Sequence, residues 1–216
     1  NDSYNVMLNS INVLDSQIKN LENILTKAYV NENLVRISII DKEIKNSDYY
    51  AIRKGQQYVA ALSSSNSYVE DIIIIFKSSG IVLTKKTSFD SIDAFNKYYN
   101  IDNFLNITNS KDPTYILSTS YNYIPEIAVT DISSESSSVS NKKIDVFCYK
   151  VPLGLPIYPK ENGIAYIFIN KNRLLNTALP HNFRKDGFFC LFDKNGNTIL
   201  SYGTNLELSS CKKQLK

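Results

Sequence analysis

From Asn1 to Val30 the apolar residues recur at alternating steps of four and three: Met7, Ile11, Leu14, Ile18, Leu21, Leu25 and Ala28. Asn12, Asp15, Gln17, Lys19, Asn20, Glu22 and Asn23 fill the other faces, and neither glycine nor proline interrupts before Lys54. This spacing predicts a long amphipathic helix that starts at or before Tyr4 and reaches about Val30, within an N-terminal segment 1–36. Such a stripe serves either the core of its own domain or a partner helix, a second copy included.

The pattern then shortens. Tyr50, Ile52, Tyr58, Val59, Ala61 and Leu62 predict a second helix over Ser47–Leu62, closed by the polar run Ser63-Ser64-Ser65-Asn66. Next, Asp71–Phe76 contains four consecutive isoleucines with no alternation, which predicts a central strand covered on both faces. The turn Lys77-Ser78-Ser79-Gly80 leads back into a strand over Ile81–Lys85, and Ser91–Tyr99 has helical spacing. Asp112-Pro113 marks a break, and Thr114–Tyr123 alternates in part as a strand. The serine-dominated stretch Ile127–Ser140 reads as a surface loop. Strands follow at Ile144–Val151 and Ile164–Asn170, joined by the proline-rich connector Pro152–Pro159. A helix over Asn172–Leu179 stops at Pro180.

Phe188–Leu200 predicts a last hairpin with Asn195-Gly196 in its turn. It repeats the first at a distance of 116 residues: Phe192 answers Phe76, Gly196 answers Gly80 and Ile199 answers Leu83. Two related units in tandem are the reading this supports.

Composition narrows the classes. The 216 residues carry 24 Lys and Arg against 21 Asp and Glu, a net charge of +3 without long single-sign runs, so no nucleic-acid footprint is present. Lys212, Lys213 and Lys216 read as a solvated tail. Cys148, Cys190 and Cys211 stand far apart, without the close pairs of a zinc or redox site. No apolar run approaches the roughly 18–20 residues of a membrane span, and no signal peptide is visible, so the chain reads as soluble or as a soluble piece of a longer protein.

Catalytic chemistry finds no foothold. His181 is the sole histidine and has no nucleophile motif beside it, and seven glycines leave no phosphate cradle. Glu70 and Asp71 point to opposite faces of a strand, which makes a poor acid/base pair. Asp193 in Asp-Lys-Asn-Gly-Asn has the glycine misplaced for a calcium loop and reads as a turn aspartate. The expectation is no enzyme and no cofactor.

Ser65-Asn66-Ser67-Tyr68-Val69-Glu70-Asp71 with Ile72–Phe76, Tyr149–Gly154, Gly163–Ile169 and Phe192-Asp193-Lys194-Asn195-Gly196 together resemble the Cache family of extracytoplasmic sensor domains. More narrowly, they resemble the double Cache ectodomains of bacterial transmembrane receptors. The resemblance implies an α+β chain: a long N-terminal helix, then PAS-like units, each an antiparallel sheet flanked by helices. It implies a membrane-distal unit over 37–172 that holds a small-molecule ligand, and the start of a membrane-proximal unit over 173–216. It also implies a location outside the cell membrane, with flanking membrane segments and a histidine kinase, methyl-accepting or helix-turn-helix output inside. After the second hairpin only Tyr202–Lys216 remain, fewer residues than a whole proximal unit needs, so only its start is expected within these 216 residues. The Asp-anchored amino-acid recognition pattern of some double Cache receptors is absent, so an amino-acid ligand is not implied.

Tyr98, Tyr115, Tyr121, Tyr123, Tyr149 and Lys150 are the candidate ligand-binding residues. The tyrosines offer stacking faces and hydroxyls, and the lysine a charge for a carboxylate or sulfate. The competing reading is a helix-mediated dimerisation module with no small-molecule ligand, in which these tyrosines only fill the core.

Overall fold

The computed structural model describes residues 2–41, 43–101, 115–123, 144–155, 158–179, 188–192 and 198–202. The Asp112-Pro113 break, the serine loop, Pro180, His181, Cys211, the Asn195-Gly196 turn and the lysine tail lie outside the described residues.

Helix α1 runs from Asp2 to Tyr29. Leu14, Leu21, Ile24 and Ala28 are buried along it, whereas Ile11 is 39% exposed and Ser10 takes the buried position. The helix ends where Asn31 adopts an extended conformation and accepts from the Asn33 and Leu34 N–H groups at 3.1 and 3.2 Å. α1 thus stops near the expected limit at Val30, and the cap starts a separate helix, α2 (Glu32–Ser38), that the sequence pattern did not distinguish. Helix α3 spans Asp48–Ser64.

The strands of unit 23–170 form one antiparallel sheet. They are β1 (Val69–Phe76), β2 (Val82–Leu83), β3 (Ser88–Phe89), β4 (Tyr99–Ile101), β5 (Tyr115–Tyr123), β6 (Ile144–Leu155) and β7 (Tyr158–Asn170), with α4 (Ile92–Tyr98) before β4. Their order is β3-β2-β1-β7-β6-β5-β4. The isoleucine strand is therefore interior, and Ile72, Ile73 and Ile74 are at most 1% exposed. This is the α+β class expected from the sequence, helices with an antiparallel sheet.

Gly80 closes the first hairpin with φ +76°, donating to the Phe76 carbonyl at 2.9 Å, while Phe76 N–H donates to the Ile81 carbonyl. One face of the sheet receives α3 and α2: Gly55 brings α3 against Ile37 and Leu34 of α2 and Leu83 of β2. At the end of α3 the Ser63 hydroxyl donates to the Val59 carbonyl and accepts from Ile72 N–H at 3.1 Å.

The proline-rich connector differs from expectation. β6 continues through Pro152 to Leu155 and β7 begins at Tyr158, so the stretch is mostly strand. The pairing of β5 with β6 reaches only to Lys150, so beyond it β6 is paired through β7 alone among the described residues. A proline without an N–H is tolerated on such an edge, and register shifts follow at once around Gly154.

The other compact unit comprises 1–22 and 171–216. Its described elements are the first part of α1, α5 (Lys171–Ala178), and a hairpin of β8 (Phe189–Phe192) with β9 (Thr198–Tyr202). Both hairpins of the sequence repeat exist, but their registers differ. β1 pairs Ile75 with Val82, whereas the residues 116 further on are not partners: Leu191 pairs with Leu200, and Thr198 with Phe192. No described helix is long and apolar enough to cross a membrane.

Candidate functional site

Strand alternation sorts β1, β6 and β7 into two faces. Ile73, Ile75, Val146, Cys148, Tyr166 and Phe168 fall on one, packed with Val82, Phe89, Phe95, Tyr99 and Ile101. Ile72, Ile167 and Tyr149 form a row on the other. The first face is concave, because α4 leads from β3 at one edge of the sheet to β4 at the opposite edge in nine intervening residues. Seven flat strands would span about 29 Å from edge to edge, more than a link containing two turns of helix covers.

Aromatic rings cover this concavity. Phe89 stacks on Tyr98 with centroids 5.6 Å apart, meets Phe95 edge-on at 5.7 Å and Tyr99 edge-on at 5.9 Å, and Phe95 stacks on Tyr99 at 4.7 Å. Ser91 caps α4 by accepting from Ala94 N–H at 3.1 Å, which sets where the helix begins.

Within the apolar wall stand a few polar groups. Lys150 follows Val146 and Cys148 on the concave side of β6 and is only 6% exposed. Its register partner on β7 is Tyr166, whose own partner on β1 is Ile73. Burial holds the Tyr166 phenol above its ordinary value, and Cys148 adds to the rise. Burial likewise raises the Cys148 thiol, with the Lys150 charge drawing it partly back. Neither group is poised to ionise near neutrality.

One row along, Asp71 is 1% exposed. Its Oδ1 accepts from Lys85 N–H at 2.8 Å, and the Tyr99 hydroxyl lies 3.3 Å from Oδ2 and 2.9 Å from Thr84 Oγ1. Thr84 in turn donates to the Thr87 carbonyl and accepts from Lys86 and Thr87 N–H.

The candidate residues divide accordingly. Tyr98 and Lys150 lie on the concave side. Tyr115 is the register partner of Lys150, Tyr121 pairs with Ile144 and Ile101, and Tyr123 pairs with Tyr99. Tyr149 is on the opposite face beside Ile167 and is buried there, because adjacent residues of one strand alternate. Asp71, Thr84, Tyr99 and Tyr166 were not among the sequence candidates. One signal in the sequence was an aspartate heading a strand whose faces are both covered: a carboxylate there must find partners.

Among the described residues no group of three or more His, Cys, Asp or Glu is placed to hold a metal. An open cleft of about 830 Å³ lies between the end of α2 and the start of α3, against Arg36, Ile39, Asp41, Lys45 and Asp48. Arg36 there donates to the Ser47 carbonyl and pairs with Asp48 at 3.8 Å. The concave face carries the buried Lys150 among aromatic and aliphatic side chains, whereas the cleft is open and lined largely by charged and polar residues.

No protein-family model matches the chain, and no curated protein does. Among solved structures it is similar to ligand-binding sensory domains. One is the ligand-binding domain of the Campylobacter jejuni chemoreceptor Tlp3 in complex with 4-methylisoleucine: 14% identity, 94% of this chain and 69% of that one, TM-score 0.49. The same domain with L-norvaline gives 13% identity, coverage of 94% and 68%, and TM-score 0.49. The Tlp3 sensory domain with isoleucine bound gives 16%, 93% and 76%, and 0.42. At this level of identity and superposition no family membership follows.

Proposed function

We propose that this chain is a ligand-sensing domain of a bacterial membrane receptor, held on the outer side of the membrane by segments flanking it. In this reading 37–172 is the membrane-distal, PAS-like sensor unit of a double Cache arrangement, and 173–216 begins a proximal one. The ligand is a small organic molecule with an anionic group, bound on the concave face. Lys150 takes the anion, and Tyr98, Tyr115, Tyr121 and Tyr123 contribute rings and hydroxyls; Tyr149 acts from the far side by fixing β6. Binding shifts α1 because the ligand has different affinity for two arrangements of the domain.

The observation that carries this is Lys150. A lysine is among the residues least often buried, and here it is 6% exposed on an aromatic and aliphatic wall. A core lysine with no task is replaceable by methionine of similar length without loss. The test is a thermal-shift screen of the 216-residue chain against carboxylic acids, amino acids, sulfated and neutral sugars and short peptides. At one hundred times its dissociation constant a hit adds about 2.7 kcal/mol. Lys150→Met is expected to fold and to lose the shift. Retention of every anionic hit by Lys150→Met, or hits confined to neutral compounds, would refute the assignment.

A second reading, a dimerisation module, is favoured by one observation: Leu8 and Ile11 on α1 are 43% and 39% exposed.

A further inference from the structure

We infer that Asp71, Thr84 and Tyr99 form a clasp that keeps the sheet curled and pins the α4–β4 arm over the Lys150 face, and that its release is the motion that uncovers this face. The functional meaning of the clasp rests on the ligand-sensing reading above; its mechanics do not.

The geometry is unusual for a sheet. β4 lies four strands from β1 and five from β2 in the sheet order. In a flat sheet those separations are about 19 and 24 Å, far beyond the reach of one tyrosine. Yet the Tyr99 hydroxyl, on β4, reaches Asp71 on β1 at 3.3 Å and Thr84 just beyond β2 at 2.9 Å. One phenol therefore bridges the curl from the outermost strand to the interior.

Proton accounting directs that bridge. Thr84 gives its hydroxyl proton to the Thr87 carbonyl and offers its lone pairs to Lys86 and Thr87 N–H, so the acceptor with capacity to spare is the Asp71 carboxylate. The Tyr99 hydroxyl therefore donates to Asp71 Oδ2 while resting against Thr84 Oγ1.

Little else in the backbone secures the arm. β3 pairs with β2 over two residues, and β4 with β5 over three. By contrast β1 and β7 share a ladder from Val69 to Phe76. Among the described residues the cost of opening the arm lies in its buried rings, Phe95 and Tyr99, and in this polar anchor, which adds to the packing.

The experiment is native-state hydrogen exchange on the full chain with no ligand present. Tyr99→Phe keeps the ring against Phe95 and removes only the hydroxyl. Amides of Ile92–Ile101 are expected to exchange about ten- to a hundred-fold faster, while those of Ile72–Ile75 and Ala165–Phe168 keep their rates. Asp71→Asn should give the same local pattern, and the double variant no more than the larger single effect. Unchanged exchange over Ile92–Ile101 in Tyr99→Phe overturns the clasp. So does equal acceleration throughout the sheet, which marks an ordinary core contact. Since no ligand enters the measurement, failure of the Lys150 assignment leaves its outcome readable.

Discussion

Gly55 offers a test of how tightly the helices close on the sheet. A Cβ at this position would stand 2.6 Å from Ile37 Cδ1 and 3.2 Å from both Leu34 Cδ2 and Leu83 Cδ1. All three neighbours are buried, so the Ile37 methyl has no solvent to retreat into. Alanine in a helix interior gains about 1 kcal/mol over glycine, whereas forcing one extra methyl into a packed contact costs about 1–3 kcal/mol. Gly55→Ala is therefore expected to destabilise the domain by about 1 kcal/mol. Ile37→Val deletes the obstructing Cδ1 and alone costs about 1 kcal/mol. Combined, the alanine methyl occupies the space that the Cδ1 vacated and the helix keeps its gain, so the double variant should return close to the parent. The coupling of about 1–2 kcal/mol is measurable in a double-mutant cycle by urea unfolding, followed by far-UV circular dichroism. A stabilised Gly55→Ala, or strict additivity, would refute the packing argument.

Three further outcomes are expected. Cys148 and Tyr166 are acids held above their ordinary values of 9.0 and 10.0, so the folded state favours their neutral forms. Their contribution to stability is complete below those values and is lost as pH rises beyond them. Tm should fall between about pH 9 and pH 11, less steeply in Cys148→Ala, and Cys148 should resist a thiol reagent at about pH 8 until the chain unfolds. A flat Tm profile, or rapid labelling of the native thiol, would contradict the burial argument. If Leu8 and Ile11 meet a second copy of α1, analytical ultracentrifugation should show a concentration-dependent dimer that Ile11→Glu weakens at least ten-fold; a monomer at all concentrations would remove that reading.

Much of the fold was legible because local patterns and tertiary burial agree. Four isoleucines without alternation predicted a strand inside a sheet, and β1 is one. The α1 stripe set the helix and its end near Val30, but α2 was not foreseen: its signal was a single capping asparagine, Asn31, just past the stripe. Pro152 suggested a connector because sequence does not show that a strand can run on past the end of its ladder with one neighbour, as β6 does past Lys150 among the described residues. The site was less legible. Tyr149 and Lys150 were chosen for ring and charge, although one residue of offset along a strand sends them to opposite faces. Asp71 and Tyr99 meet only because the sheet curls, a property of the whole topology that no local window contains.

The central ladder joins Val69 to Ile169, a hundred residues apart along the chain. During synthesis at about 5–20 residues per second, the isoleucine strand waits about 5–20 s before its interior neighbour exists. Until then its only strand partner is the two-residue β2, and a greasy ribbon is open to other nascent chains. Yield of native protein should thus be governed less by final stability than by how this interval is shielded, and slowing translation between the two strands would be expected to send more of the product into aggregates.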